Sequence, residues 1–210
     1  MIVGISGYTG SGKSSAAKYL AKKLNYFSLV DADRIARKLM SENGSLINEV
    51  AKGFDVVENG KINFAKLGKN AFESVENLRK LNSITFPYII SSINNEICKT
   101  EFLIMDIALL PLVPPLCEKC DFIIWIESGV EKRVERLQKR SGLDVCAIRN
   151  RIQKQMDLMP APAEDGLWKI VENNSSLKNL FEKIDGICDK YVSNQSGKKY
   201  FQRENLTKNK

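Results

Sequence analysis

The chain has no histidine among its 210 residues. A Ser-His-Asp triad, a histidine metal site and an imidazole general base are therefore excluded. Any proton moved at neutral pH must pass through carboxylate, lysine, cysteine or tyrosine. Long apolar runs are missing as well. The longest, 102–116, is interrupted by Asp106, Pro111, Pro114 and Pro115 and falls short of the ~18 uncharged residues of a membrane span, so no membrane partner is expected. Cysteine is sparse and odd in number, five at 98, 117, 120, 146 and 188. That is a poor disulfide framework and fits a reducing compartment. Cys117 and Cys120 have metal-ligand spacing, but zinc takes four ligands and there is no second pair; buried thiols suit them better. The opening Met1-Ile2-Val3-Gly4-Ile5-Ser6 lacks the basic leader of a signal peptide, and a cytoplasmic protein is expected.

What remains is an ordinary globular composition, 43% hydrophobic and 27% charged, of a length that suits one domain, with or without a large insertion. The net charge of +7 is uneven: from Asn194 onward five lysines and arginines face one glutamate. The body is only mildly basic, which suits a phosphorylated ligand and does not call for nucleic acid.

Short apolar runs at Ile2–Ser6, Tyr26–Val30, Phe102–Ile107, Asp121–Glu127 and Trp168–Glu172 lack period-2 alternation, as parallel strands covered on both faces do. Helical patterns lie between them at Lys13–Leu24, Val130–Lys139 and Asp144–Asp157, and Pro87 suits the first turn of a helix through Ile97. The alternation predicts an α/β fold with a parallel sheet. Two stretches exceed a minimal alternation: about 44–99, with a turn at Asn59-Gly60, reads as a helical insertion, and about 136–165 as a mobile cover.

Gly7-Tyr8-Thr9-Gly10-Ser11-Gly12-Lys13-Ser14 satisfies G-x-x-x-x-G-K-[ST] between a strand and a helix. Glycines let backbone N–H groups close around a triphosphate, and the following helix presents its positive end. Gly10, Ser11, Gly12 and Lys13 would cradle ATP, Ser14 would hold Mg²⁺, and Ser15 adds a hydroxyl for the α-phosphate. A dinucleotide fingerprint fails, because Ser15 stands where glycine or alanine is needed. The GTPase strings D-x-x-G and N-K-x-D are absent, which disfavours a switch.

Strand two ends in Asp31-Ala32-Asp33-Arg34. Carboxylates two apart on an extended segment share a face, so of Asp31 and Asp33 one can hold the metal's water shell while the other accepts a proton from an acceptor hydroxyl; an N-cap role for Asp33 is the competing reading. Asp106, ending strand three, is a further candidate near Mg²⁺. Of Arg133, Arg136, Arg140, Arg149 and Arg151, Arg140 beside Ser141-Gly142 and Arg136 one turn earlier are the pair best placed to close on transferring phosphate; most of the five read as solvated.

These residues resemble the dephospho-coenzyme A kinases, which move the γ-phosphate of ATP to the ribose 3′-hydroxyl of dephospho-CoA. The resemblance runs from Ile2 to about Ile187. It is carried by Gly4-Ile5-Ser6-Gly7, Asp31-Ala32-Asp33-Arg34-Ile35-Ala36-Arg37, Asn59-Gly60-Lys61-Ile62, Leu81-Asn82-Ser83-Ile84-Thr85, Arg136–Leu143, Arg151-Ile152 with Gln155, and Ile170-Val171-Glu172-Asn173. It implies an ATP- and Mg²⁺-dependent transferase of coenzyme A biosynthesis, with Asp33 as base, Arg140 as lid arginine and Asn173 near the adenine. It also implies a P-loop kinase fold: a five-stranded parallel sheet, order 2-3-1-4-5, between helical layers. One domain, 1–193, would comprise a core (1–43, 100–135, 166–193), an acceptor-binding insertion (44–99) and a lid (136–165), followed by a basic flexible tail, 194–210. Dephospho-CoA is the expected partner, bound by a monomer or weak oligomer. Departures gather on the acceptor side: Phe86-Pro87 for the usual His-Pro, Asn63-Phe64 for Asp-Arg, and Ala108–Leu112 for Pro-Leu-Leu-Phe-Glu; in the cradle, Tyr8 replaces a small residue. Two other readings stay open: a P-loop kinase with a different acceptor, and a weakly catalytic nucleotide-binding protein.

Overall fold

The computed structural model describes residues 1–192; the tail at 194–210 lies outside them. In chain order the elements are β1 (Ile2–Ser6), α1 (Lys13–Lys23), β2 (Ser28–Asp31), α2 (Ala32–Glu42), α3 (Gly44–Phe54), β3 (Val57–Glu58), β4 (Lys61–Ile62), α4 (Phe64–Ala71) and α5 (Val75–Ile97). They continue with β5 (Leu103–Asp106), a 3-10 turn (Leu110–Leu112), α6 (Pro114–Cys117), β6 (Phe122–Glu127), α7 (Val130–Ser141), α8 (Val145–Leu158), β7 (Trp168–Glu172) and α9 (Leu177–Tyr191).

The main sheet has the order β2-β5-β1-β6-β7, all neighbours parallel. Counting only its own strands, this is 2-3-1-4-5, as the family resemblance implied. The absent alternation has its cause in packing on both faces. Val3, Ile5, Ile104 and Ile124 face α1 and α9 through Ala16, Leu20, Leu180 and Ile184. Leu103, Met105 and Ile123 face the other way, onto Ile93 of α5 and Leu110, Val113 and Leu116. Each such buried side chain contributes roughly 1.5–3 kcal/mol. The register sets Asp31 opposite Asp106 and Asp106 opposite Ile5, so the carboxyl ends of three central strands meet at one edge, where open α/β sheets bind ligands.

Between β2 and β5 the chain builds a second small core from Leu46, Val50, Phe54, Val56, Ile62 and Leu67. Asn59 (φ 50°) and Gly60 (φ 75°) form the turn of the β3–β4 hairpin, both residues taking the positive φ of a type I′ turn. The helix expected to begin at Pro87 instead runs from Val75, with Pro87 in its interior. A proline there removes one backbone hydrogen bond, leaving the Ser83 carbonyl without its helical donor. Pro87 and Ser83 are both exposed, where water can serve that carbonyl, while Leu78, Thr85 and Ile93 bury the opposite face. Tertiary packing outweighs the local penalty. The charged helices α7 and α8 pair through Val134, Leu137, Ile148 and Ile152, and the position expected to open the cover, 136, falls inside α7.

Candidate active site

The loop between β1 and α1 is held open by its glycines. Gly7, Gly10 and Gly12 have φ of 146°, 78° and 104°, and a Cβ on Gly12 would lie 2.5 Å from Asn173 Nδ2. α1 has no side-chain cap, whereas Asp31, Asn43, Asn63, Ser74, Asp144 and Ser176 cap α2, α3, α4, α5, α8 and α9. Its first amides are thus left for an anion.

The outer side of the loop is clamped. Arg136 Nη1 donates to Gly10 O (3.3 Å), Ser11 O (3.2 Å) and Ser128 Oγ (3.1 Å), and Nη2 donates to Asn173 O (2.9 Å). Asn173 Nδ2 donates to Ser11 O at 2.7 Å. With that carbonyl tied outward, the planar trans peptide turns the Gly12 N–H the other way, into the cradle. Arg136 and Asn173, expected to touch nucleotide directly, here hold the loop itself in shape. Both line the cavity, and the buried Asn173 Oδ1 has no hydrogen-bond partner.

Lys13 Nζ lies 3.4 Å from Asp106 Oδ1 and 3.9 Å from Asp33 Oδ2, and 3.3 Å from Ser14 Oγ. The Asp106 side chain is 3% exposed and that of Asp33 75%. Burial pushes the Asp106 carboxyl above its ordinary range, and the Lys13 ammonium pulls it back. The extended pair read from Asp31 and Asp33 is corrected: the strand ends at Asp31, and Asp33 already lies in the first turn of α2, so the period of two does not reach it. The cap is Asp31, accepting from Arg34 N at 3.1 Å. Asp33 lines the cavity with Lys13.

That cavity, about 600 Å³, is in the size range of ligand sites. The loop, Asp33, Arg136 and Arg140 line it, together with an apolar wall of Phe72, Leu78, Leu109 and Leu158. Arg151 stacks on Phe72, its Cζ 5.0 Å from the ring centroid. Of the five arginines, Arg140 is exposed at the cavity, and Arg149 pairs with Glu131 at 2.9 and 2.6 Å. Arg133, expected among the solvated ones, is buried at 2% exposure. Two contacts escaped the sequence reading: Gln155 Oε1 accepts from Thr9 N at 2.7 Å, and Tyr8 Oη donates to Met159 O at 2.9 Å. The signal was present, since Arg133 falls with Val130, Val134 and Leu137, and Gln155 with Ile148 and Ile152, on apolar helical stripes. Cys117 and Cys120 donate to Leu110 O and Leu116 O, and no group of three or more acidic, Cys or His residues suited to a metal occurs among the described residues. No described helix is long and apolar enough to cross a membrane.

A parallel sheet with a clamped phosphate loop, a lysine and carboxylates at its carboxyl edge defines a P-loop kinase. The family described as dephospho-CoA kinase matches residues 1–179, and the chain belongs to that family. A dephospho-CoA kinase of Fusobacterium nucleatum is 32% identical over 197 residues, covering 90% of this chain and 97% of that protein. Among solved structures, TT1252 from Thermus thermophilus aligns with a TM-score of 0.66 at 23% identity, covering 90% and 97% of the two chains. Dephospho-CoA kinase from Campylobacter jejuni aligns at 0.57 and 19%, covering 92% and 98%; these two likenesses concern the fold.

Proposed function

We propose that the chain phosphorylates the ribose 3′-hydroxyl of dephospho-CoA with ATP, Asp33 accepting the hydroxyl proton. The observation that carries this is the shared wall: Asp33 sits 3.9 Å from Lys13 Nζ in a cavity that joins the phosphate loop to an apolar face. The triphosphate would lie on the amides at the start of α1. Lys13 would neutralise the transferring phosphoryl, and Arg140, exposed at the rim, would meet the developing charge. The apolar wall keeps water from competing with the alcohol.

The donor set fits Mg²⁺, which favours one or two hard oxygen ligands beside substrate phosphates. Ser14 Oγ and Asp106 would hold it; Asp106 Oδ1 is buried without a well-formed hydrogen bond, facing the Lys13 ammonium at 3.4 Å. Asp31, engaged as a cap, is better placed to support Asp106 across the strand register. When bound, Mg²⁺ supplies charge neutralisation at the phosphate oxygens. The reading also takes the enzyme as cytoplasmic, supported by five free thiols, and as a monomer or weak oligomer.

The test is ADP release from ATP with and without dephospho-CoA. The reading expects acceptor-dependent release that Lys13→Ala abolishes. No acceleration over the acceptor-free control refutes the assignment, and a panel of nucleoside and sugar alcohols then identifies the acceptor used instead.

A further inference from the structure

Arg133 lies near the start of α7, behind the phosphate loop. Its Nη2 donates to Met156 Sδ at 3.1 Å, while Nε and Nη1 have no hydrogen-bond partner. It takes part in none of the ion pairs among the described residues. Its Cζ stands 4.9 Å from the Tyr8 ring centroid, an attraction of the cation to the ring face. Glu127 adds a longer-range attraction, and burial disfavours the charged form. A buried guanidinium so poorly satisfied is among the costliest groups to keep in an interior.

The loop packs against Arg133 at two places, on its main chain and Cβ through Gly10 and on its guanidinium through Tyr8. A Cβ on Gly10 would lie 3.0 Å from Arg133 O and 3.1 Å from Arg133 Cβ. The aromatic partner, Tyr8, is itself a loop residue, fixed through its hydroxyl to Met159 O. A positive charge with no ion pair among the described residues, reached by Glu127 at longer range, thus packs on the loop without lining the cavity assigned to a polyanion.

We infer that Arg133 is a positioning residue for the nucleotide's phosphates: its buried charge is balanced, across the loop and without contact, by the triphosphate, with the Tyr8 ring holding the guanidinium in place. This rests on the nucleotide reading above. Lys13 is the contacting cation; Arg133 acts through low-dielectric protein, where a charge reaches further than in water. Its influence therefore grows with each phosphate on the ligand.

The experiment compares the full chain with its Arg133→Met and Arg133→Lys variants by calorimetric titration with ATP, ADP and adenosine, alongside melting of the ligand-free proteins. Replacing a poorly satisfied buried charge with an apolar side chain of similar volume is often neutral or stabilising, so Arg133→Met is expected to melt at or above the unaltered protein. Its ATP dissociation constant should rise roughly ten-fold or more, that of ADP less, and that of adenosine by no more than about two-fold. Arg133→Lys should recover most of the ATP loss. A packing role predicts the opposite pattern, and the inference is overturned if Arg133→Met melts several degrees lower, fails to fold, or weakens all three ligands equally. If the unaltered protein binds ATP and Arg133→Met matches it, this inference alone fails; if the unaltered protein does not bind ATP, the nucleotide reading fails with it.

Discussion

Gly12→Ala tests the cradle where two constraints coincide. The residue has a φ of 104°, and a left-handed conformation costs an L side chain roughly 1–2 kcal/mol. The new methyl would stand 2.5 Å from Asn173 Nδ2, so Asn173 must move and its buried 2.7 Å bond to Ser11 O is lost, a further ~1–3 kcal/mol. The single substitution should therefore cost about 2–5 kcal/mol, a large part of a domain's ~5–15 kcal/mol. Asn173→Ala alone should cost ~1–3 kcal/mol through the same bond. In the double variant that bond is lost only once and the clash is gone, so the two costs should fall short of additivity by ~1–3 kcal/mol. Urea unfolding followed by the fluorescence of the buried Trp125 and half-buried Trp168 gives all four stabilities. Additivity within about 0.5 kcal/mol, or a Gly12→Ala cost below that of the strain alone, would refute the argument.

Asp33→Asn should lower kcat by roughly 10²–10⁴-fold with ATP affinity little changed, since it cannot accept the hydroxyl proton; steady-state kinetics and titration separate the two, and an unchanged kcat removes Asp33 as base. Arg136→Ala, which breaks four hydrogen bonds to the loop and its neighbours, should weaken ATP binding strongly. Arg149→Ala breaks only an exposed, solvent-screened pair with Glu131 and should leave stability and ATP affinity almost unchanged; equal effects of the two on ATP affinity would contradict the clamp. Burial pushes the Cys117 thiol up to about 11 and those of Cys120 and Cys188 up to about 12. The reactive thiolate is thus scarce at pH 8 and gains tenfold per pH unit until those values are reached. Mass-resolved iodoacetamide labelling at pH 8 should modify the exposed Cys98 and Cys146 first, and early labelling of Cys120 would contradict its burial.

The cradle was legible because its information is local: eight consecutive residues between a strand and a helix specify glycine torsions, a lysine and a hydroxyl. The sheet was legible from five apolar runs, since two-sided burial erases alternation in its three central strands, β1, β5 and β6. Asp31 and Asp33 were found, but their geometry was misread because the chain changes from strand to helix between them. Pro87 was misplaced because packing on both sides of it, a non-local effect, holds the helix together. The rear of the loop was the least visible part. Tyr8 is far in sequence from Arg133, Gln155 and Met159, and they meet only when α7 and α8 fold back on the loop after β1, although a polar residue on an otherwise apolar stripe was a readable sign of a buried contact.

The most direct measurement is phosphorus NMR of dephospho-CoA incubated with ATP, Mg²⁺ and the protein. The account predicts a new phosphomonoester resonance on the ribose 3′-oxygen, growing in step with ADP and absent with Lys13→Ala. ATP consumed with no phosphorus transferred to dephospho-CoA would contradict it.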